Sequence, residues 1–244
     1  MNISVCLATY NGAKYIDLQL ESILRQLGPD DEVIVLDDCS KDNTLEVVRA
    51  INDQRIKIYK NDVNKGHVFS FGHVVSLATK DIIFMSDQDD IWIDGRVELM
   101  KNSLLSSGSL LVSSNSAFIK SDGAPSDFSI DGVTSESSRK YFRNIIDIFA
   151  GKTNYYGCAM AFRKELNALV LPIPSYVESH DLWIAMGANI AKSNIHIDEA
   201  TLLRRIHGEN ASVLKRKLLP KLWSRVVFAI SAIQLFYRNL LVKK

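Results

Sequence analysis

The chain has 244 residues, 47% of them apolar and 23% charged, with a formal net charge of +1. These values suit an ordinary globular protein with one large domain and room for an appendage, and they exclude a disordered or fibrous chain. A charge so near zero gives no reason to expect a nucleic-acid partner.

In chain order, Ile3–Ala8 is a short apolar run read as a buried strand, broken by the turn chemistry of Thr9-Tyr10-Asn11-Gly12. Tyr15, Leu18, Ser22, Ile23 and Leu27 fall on one helical face, and Gly28-Pro29 stops that helix. Glu32–Leu36 is a second strand ending in Asp37-Asp38-Cys39-Ser40. Thr44–Ile51 is a helix, Ile56–Tyr59 a third strand, Asn64-Lys65-Gly66 a turn, Val68–Ala78 a helix and Asp81–Met85 a fourth strand. Strand and helix alternate four times over about ninety residues, which predicts a mostly parallel sheet with helices on both faces. Beyond it, Leu110–Val112, Gly157–Phe162, Ile195–Ile197 and Ala200–Ile206 read as strands. Ser121–Arg139 reads as a loop, and His180–Ala191 as a helix. Lys217–Val242 fits one amphipathic helix with Leu218, Leu222, Val226, Ile230, Ile233, Tyr237 and Leu241 three or four apart. Its central apolar run, Val226–Ala232, is too short to span a bilayer.

The near-zero charge hides an asymmetry. After Glu209 no acidic residue occurs, whereas eight basic residues do: Lys215, Arg216, Lys217, Lys221, Arg225, Arg238, Lys243 and Lys244. An acidic body thus carries a basic tail, which calls for an anionic partner. Cys6, Cys39 and Cys158 are far apart and lack metal-ligand spacing, as suits a reducing cytoplasm. The first residues have neither a basic region nor a long apolar run, so no signal peptide is expected.

The most informative stretch is Ser86-Asp87-Gln88-Asp89-Asp90, which directly follows the fourth strand. Three carboxylates in four positions repel one another, and each raises its neighbours' pKa. A hard divalent cation relieves that repulsion, and such ions also hold substrate phosphates. In an open α/β sheet the ligand lies outside the carboxyl ends of the strands. Thr9-Tyr10-Asn11, Asp37–Ser40 and Asp87–Asp90 all follow strands, so they are expected to meet in one site.

These motifs resemble the inverting family 2 glycosyltransferases of the GT-A fold, in particular bacterial enzymes of surface polysaccharide synthesis and a rhamnosyltransferase-like subgroup. Thr9–Gly12, Asp37–Ser40, Asn64–Gly66 and Asp87-Gln88-Asp89-Asp90-Ile91-Trp92 occur in the family's order. Gly157–Met160, His180-Asp181-Leu182-Trp183 and Arg205-Ile206-His207-Gly208-Glu209-Asn210 continue it. The resemblance covers roughly residues 1–212. It implies an α/β GT-A fold: a mostly parallel Rossmann-like sheet, a smaller mixed acceptor-side region and a C-terminal amphipathic helix. Residues 1–115 are then the nucleotide-sugar half, 116–212 the acceptor half, and 213–244 the basic helix.

The resemblance also implies roles. Asp89 is the expected ligand of a Mn²⁺ or Mg²⁺ ion, with His207 a second ligand or a phosphate contact. Asp87 orients the ribose or the ion. Asp38 reads the imide N–H of uracil or thymine, and Thr9, Tyr10, Asn11, Asn64, Gly66 and Gln88 line the same donor site. Arg205, with Arg204, is a candidate to neutralise phosphate. Asp181 is the general base, and a helix N-cap is its competing reading. His180 orients or tunes it. Trp92 and Trp183 are read as packing or acceptor-platform residues. Lys152, Asn154 and Tyr155 are candidates for an acceptor groove.

The expected function is metal-dependent inverting transfer of one sugar from a UDP- or dTDP-sugar to a saccharide or lipid-linked acceptor, in O-antigen or capsule synthesis. The Gln-x-x-Arg-Trp motif of processive synthases is absent. The expected location is the cytoplasm, peripheral on the inner membrane face, with the basic helix meeting anionic lipid while Trp223, Val227 and Ile230 dip into the interface. The competing readings are a sugar-nucleotidyltransferase, a phosphoacceptor receiver domain and a non-catalytic nucleotide-sugar-binding or scaffold protein. The first lacks its Gly-rich phosphate loop, since Gly12 stands alone. The second is about half this size. Against the third stand Asp89 and Asp181 together.

Overall fold

The structure, a computed structural model, describes residues 1–207 and 218–242, with side chains of the last helix described from Leu222 onward. The predicted motif residues Gly208, Glu209 and Asn210 lie outside the described residues, as do Lys215, Arg216, Lys217, Lys243 and Lys244.

The strands are β1 (Ile3–Thr9), β2 (Glu32–Asp37), β3 (Ile56–Lys60), β4 (Ile82–Ser86), β5 (Ile91–Trp92), β6 (Leu111–Lys120), β7 (Met160–Arg163) and β8 (Asn194–Ile206). The helices are α1 (Ile16–Leu24), α2 (Thr44–Ala50), α3 (His67–Ser76), α4 (Arg96–Ser107), α5 (Tyr141–Ala150), α6 (Asn167–Val170), α7 (His180–Ile190) and α8 (Leu218–Val242). Among the described residues one eight-stranded sheet runs in the order β3-β2-β1-β4-β7-β6-β8-β5. The first four strands pair in parallel. Then β7 runs antiparallel to both β4 and β6, while β6 and β8 pair in parallel and β5 caps the edge antiparallel.

Side chains of the parallel strands alternate between two apolar layers, as the period of two requires. Cys6, Ile34, Leu36, Ile83 and Met85 face Phe71, Val74, Trp183 and Ile184. Val5, Leu7, Val33, Val35 and Phe84 face Ile16, Leu20, Ile23, Trp92 and Met100. Trp92 and Trp183 are both buried, so packing is their structural role.

The structure departs from the sequence pattern at several elements. Helix α4 was not expected, although Val97, Met100 and Leu104 are helically spaced and Gly108 closes it with a left-handed φ of 66°. Its first residue, Arg96, is buried and lies 4.7 Å from the Trp92 ring, donating to the Cys158 carbonyl (2.6 Å) and the Thr201 hydroxyl. Helix α5 was likewise not expected. The two short strands expected from 195 to 206 form one strand, β8, whose break is a register shift opposite Asn115. Asn115 holds that shift by donating to the Ile197 and Asp198 carbonyls.

Tyr155 does not line an acceptor groove. It is buried, and its hydroxyl lies 2.8 Å from His196 Nε2 and accepts from Asn194. In α8 the stripe through Leu222, Val226, Ile230, Ile233, Tyr237 and Leu241 is exposed, and the docked face consists of Ser224, Val227, Ser231, Leu235 and Asn239. Val227 therefore packs on the domain and is not available to an interface. The apolar stretch is also longer than its central run indicated: Leu222–Val242 spans 21 residues with mean hydropathy 1.3.

Candidate active site

The parallel register aligns the carboxyl ends of β1, β2 and β4, with Thr9 opposite Asp37 and Leu7 opposite Ser86. Gln88 ties two of the loops together. Its Oε1 accepts from the Thr9 hydroxyl (2.6 Å) and the Tyr10 N–H (2.8 Å), and its Nε2 donates to the Tyr10 carbonyl (3.2 Å). A side chain at Gly12 would strike this contact, because a Cβ there would sit 2.5 Å from Gln88 Oε1 and 2.7 Å from Thr9 Oγ1. Asn11 bridges to the second loop: its N–H donates to Ser40 Oγ and its Oδ1 accepts from the Lys41 N–H, each at 2.9 Å.

Asp38 is buried and accepts from Asn61 Nδ2 and from the N–H groups of Lys65 and Gly66, at 2.8–2.9 Å. It therefore holds the Asn64–Gly66 turn against the β2 end. Asn64 Oδ1 accepts from the same Gly66 N–H at 3.1 Å. Gly66 has a φ of +84° and open space around its Cα, which suits close approach of a ligand.

The acidic run behaves as its charge dictates. Burial and then the Asp89 charge push the Asp87 carboxyl up to about 6. Burial, then Asp87 and Asp89, push Asp90 well above the usual carboxylate range. Asp90 Oδ1 accepts from the Arg205 N–H at 3.1 Å, while Oδ2 is buried with no hydrogen-bond partner. Asp89 Oδ2 lies 2.7 Å from His207 Nε2, so the end of β8 meets the end of β4. Tyr15, just before α1, stacks on His207 at 5.6 Å and lies under the Arg205 guanidinium at 4.6 Å.

The two arginines differ. Arg205 is buried, and its guanidinium donates to the carbonyls of Asp89 (3.0 Å), Lys120 (3.2 Å) and Ser121 (3.3 Å), so it braces the acidic loop. Arg204 lies 3.8 Å from the Tyr156 ring centre. Burial works against its charge, but Cys158, Asp87, Asp90 and Tyr156 around it outweigh that and raise its pKa. Arg204 is thus the cation already facing the carboxylates.

Asp181 sits in the first turn of α7, but Ser179 caps the helix by accepting from the Leu182 N–H at 3.3 Å. The N-cap reading of Asp181 is thereby removed. Burial pushes the Asp181 carboxyl up; the His180 charge, contacts to His180 and the Gly157 N–H, and Arg204 outweigh it and hold the pKa below the usual value. His180 Nε2 lies 2.7 Å from Asp181 Oδ1, and its ring stacks on Phe71 at 4.1 Å. Gly157 and Cys158 belong to a motif of the resemblance, and the structure shows what they touch. A Cβ at Gly157 would lie 3.0 Å from His180 Nε2 and 3.2 Å from Asp181 Oδ1. Ligand atoms of Asp87, Asp90 and Cys158 all lie within 4.8 Å of one another. Nothing in a local motif reveals such cross-strand neighbours.

Residues 4–170 match the model of Glycosyl transferase family 2. The chain belongs to this family. It is 32% identical over 103 residues to the Escherichia coli UDP-Glc:alpha-D-GlcNAc-diphosphoundecaprenol beta-1,3-glucosyltransferase WfgD, covering 42% of this chain and 41% of that one. It is 26% identical over 216 residues to the putative colanic acid biosynthesis glycosyl transferase WcaA of Escherichia coli K12, covering 85% and 74%. The chain spans only 29–41% of the length of the first three curated relatives. In structure it resembles S. aureus TarS 1-349 in complex with UDP-GlcNAc, with a TM-score of 0.71 at 20% identity, covering 98% of this chain and 72% of that one. The fold of this family 2 glycosyltransferase is therefore GT-A. Membership of this family, with the GT-A fold, leaves the nucleotidyltransferase and receiver readings without support.

Proposed function

We propose that this glycosyltransferase moves a single sugar, with inversion, from a UDP- or dTDP-sugar to a saccharide or lipid-linked saccharide in bacterial surface polysaccharide synthesis such as O-antigen or capsule. The observation that carries this reading is negative charge at one sheet edge that Arg204 only partly offsets: Asp87 and Asp90 keep raised pKa values, and a buried Asp90 oxygen has no hydrogen-bond partner. Names of relatives point the same way, since WfgD is named for UDP-glucose and a diphosphoundecaprenol-linked acceptor. Residues 1–115 would hold the donor and 116–212 the acceptor, with 213–244 at the inner membrane face.

The residues fit a hard cation. Asp89 Oδ2 and His207 Nε2 are paired at 2.7 Å and would hold Mn²⁺ or Mg²⁺. Cys158 is a poor match for such an ion, because its thiol is a soft ligand and these are hard cations. Solved relatives in fold include the Mycobacterium tuberculosis glucosyl-3-phosphoglycerate synthase, in complex with Mn²⁺ and UDP. The bound ion supplies charge neutralisation of the leaving diphosphate. Arg204 adds a fixed positive charge on the same side. Asp38, with Thr9, Tyr10, Asn11, Asn64, Gly66 and Gln88, shapes the nucleoside end of the cleft.

Asp181 then acts as the base. Its low pKa keeps it ionised near neutral pH, ready to accept the proton of the acceptor hydroxyl. The hydroxyl oxygen bonds to the anomeric carbon from the face opposite the diphosphate. The carbon–diphosphate bond breaks, and its electron pair leaves with the nucleotide. Thermal-shift titration with UDP, TDP and GDP, each with and without Mn²⁺ or Mg²⁺, tests the reading. Metal-dependent stabilisation by UDP or TDP is expected. Asp89→Asn should lose the metal-dependent part, at least the ~10–100-fold that even outer-shell changes cost a metal site. No response to any nucleotide would overturn it.

A further inference from the structure

Helix α8 is apolar on the side turned away from the protein. Its docked face uses Ser224, Val227, Ser231, Leu235 and Asn239. The opposite face carries Trp223, Ile230, Ile233, Phe236, Tyr237 and Leu241, which are 46–71% exposed. A surface helix ordinarily turns charged or polar residues outward, and a helix apolar all round is covered on both sides. Helix α5 continues the same face. Its Phe142, Ile146 and Phe149 are 77%, 43% and 45% exposed at a spacing of four and three. Arg225 of α8 lies 5.8 Å from the Phe149 ring and joins the two helices.

The charge of the sequence in and around this helix argues for its cover. The segment after Glu209 holds eight basic residues and no acidic one, placed before α8, within it and after it. Arg139, Lys140 and Lys152 flank α5 and are exposed. A second copy of the chain would bring two such cationic segments together at a cost in repulsion, whereas an anionic bilayer neutralises them. We propose that α5 and α8 form one seat that lies in the plane of an anionic membrane surface, with the outer apolar face in the headgroup boundary. This rests on, and deepens, the reading of a lipid-linked acceptor.

The helix is long enough to cross a bilayer, at about 37 Å for its length. Its inner face forbids that orientation, because it is tied to the domain. Ser224 Oγ donates to Glu178 Oε2 at 2.5 Å, and Arg238 donates to the carbonyls of Leu169 and Pro172 at 3.2 and 2.9 Å. Spanning would strip these contacts away. The Ser224–Glu178 bond also sets the seat beside the base: Glu178 is followed within three residues by Asp181. A saccharide on a lipid diphosphate in that bilayer would thus be presented to the acceptor side of the site.

Flotation of the full chain with phosphatidylglycerol-rich and pure phosphatidylcholine vesicles tests the seat, together with tryptophan emission. Trp92 and Trp183 are buried, so a blue shift on adding vesicles reports Trp223. Binding to anionic vesicles, release by carbonate and a blue shift are expected. Ile233→Glu with Tyr237→Glu should weaken binding at least about tenfold, and Phe142→Glu by a smaller factor. All three positions are exposed, and circular dichroism checks that the variants fold. Absent binding, undiminished binding of the double variant, or resistance to carbonate would overturn the proposal. So would a dimer that the double variant abolishes without any vesicle binding. The UDP-dependent thermal shift, measured on the same variants without lipid, reads the donor site separately.

Discussion

Carboxylates in opposite surroundings sit at the two ends of the same parallel strands. At the amino edge, Glu32 accepts from Ser4 Oγ (2.6 Å), Lys57 Nζ (2.6 Å), and the Thr79 N–H and hydroxyl (both 2.8 Å). Burial raises its pKa, but these donors outweigh it and bring the carboxyl down to about 2. At the carboxyl edge, Asp87 is pushed up by burial and by Asp89, and Asp90 by burial, Asp87 and Asp89; one oxygen of Asp90 lacks a hydrogen-bond partner. The residue types are nearly the same. A carboxylate surrounded by donors stabilises the fold, whereas one left short of positive charge is poised for a ligand that brings it.

Four substitutions would break or sharpen that contrast. Asp181→Asn has the largest expected effect: a loss of about 10²–10⁴ in transfer rate with UDP binding kept. Turnover and calorimetry measure the two separately, and unchanged turnover would remove Asp181 as the base. Next is Glu32→Gln, expected to cost about 2 kcal/mol in urea unfolding with little change in activity per folded molecule. Because the folded carboxyl titrates near 2 and the ordinary value is 4.5, this stabilisation is complete above the ordinary value and lost as pH falls through the window between them. The variant should lack that acid-side slope.

Gly157→Ala is expected to slow transfer about tenfold, because the added methyl presses on His180 and Asp181 and displaces the proposed base. A fall in kcat with little change in KM for the donor is the signature to measure. Asp90→Asn has the smallest effect on the fold and the opposite sign to Glu32→Gln. Removing one of several repelling charges should stabilise the protein by ~1 kcal/mol while lowering transfer. If Asp90→Asn instead destabilised the fold as Glu32→Gln does, the two edges would not differ in kind.

The sheet was readable because its signal is local. Each parallel strand is a short apolar run followed by turn residues, and β1 to β4 lie where the alternation put them. The loop residues Thr9, Asp38 and Asp87 follow those strands, so parallel pairing alone brings them to one edge. The second half was harder. Val97, Met100 and Leu104 carried a helical period that the polar residues among them obscured, and Tyr155 looked like a loop residue until β8 brought His196 and Asn194 to its hydroxyl. The apolar stripe of α8 was visible, but not which way it faced, since Ser224, Ser231 and Asn239 are polar residues that pack inward.

By itself, the sequence determined the alternating α/β rhythm, the acidic run at a strand end, the motif order of the family and the basic tail, because each is a property of neighbouring residues. Only the tertiary structure decided which charges meet. It set His207 against Asp89 and Arg204 among the carboxylates, used Arg205 as a brace, and freed Asp181 from capping by giving that task to Ser179. Those outcomes depend on the pairings of β4 with β7, β7 with β6 and β6 with β8 and on the docking of α7, contacts between residues far apart in the chain that no local pattern encodes.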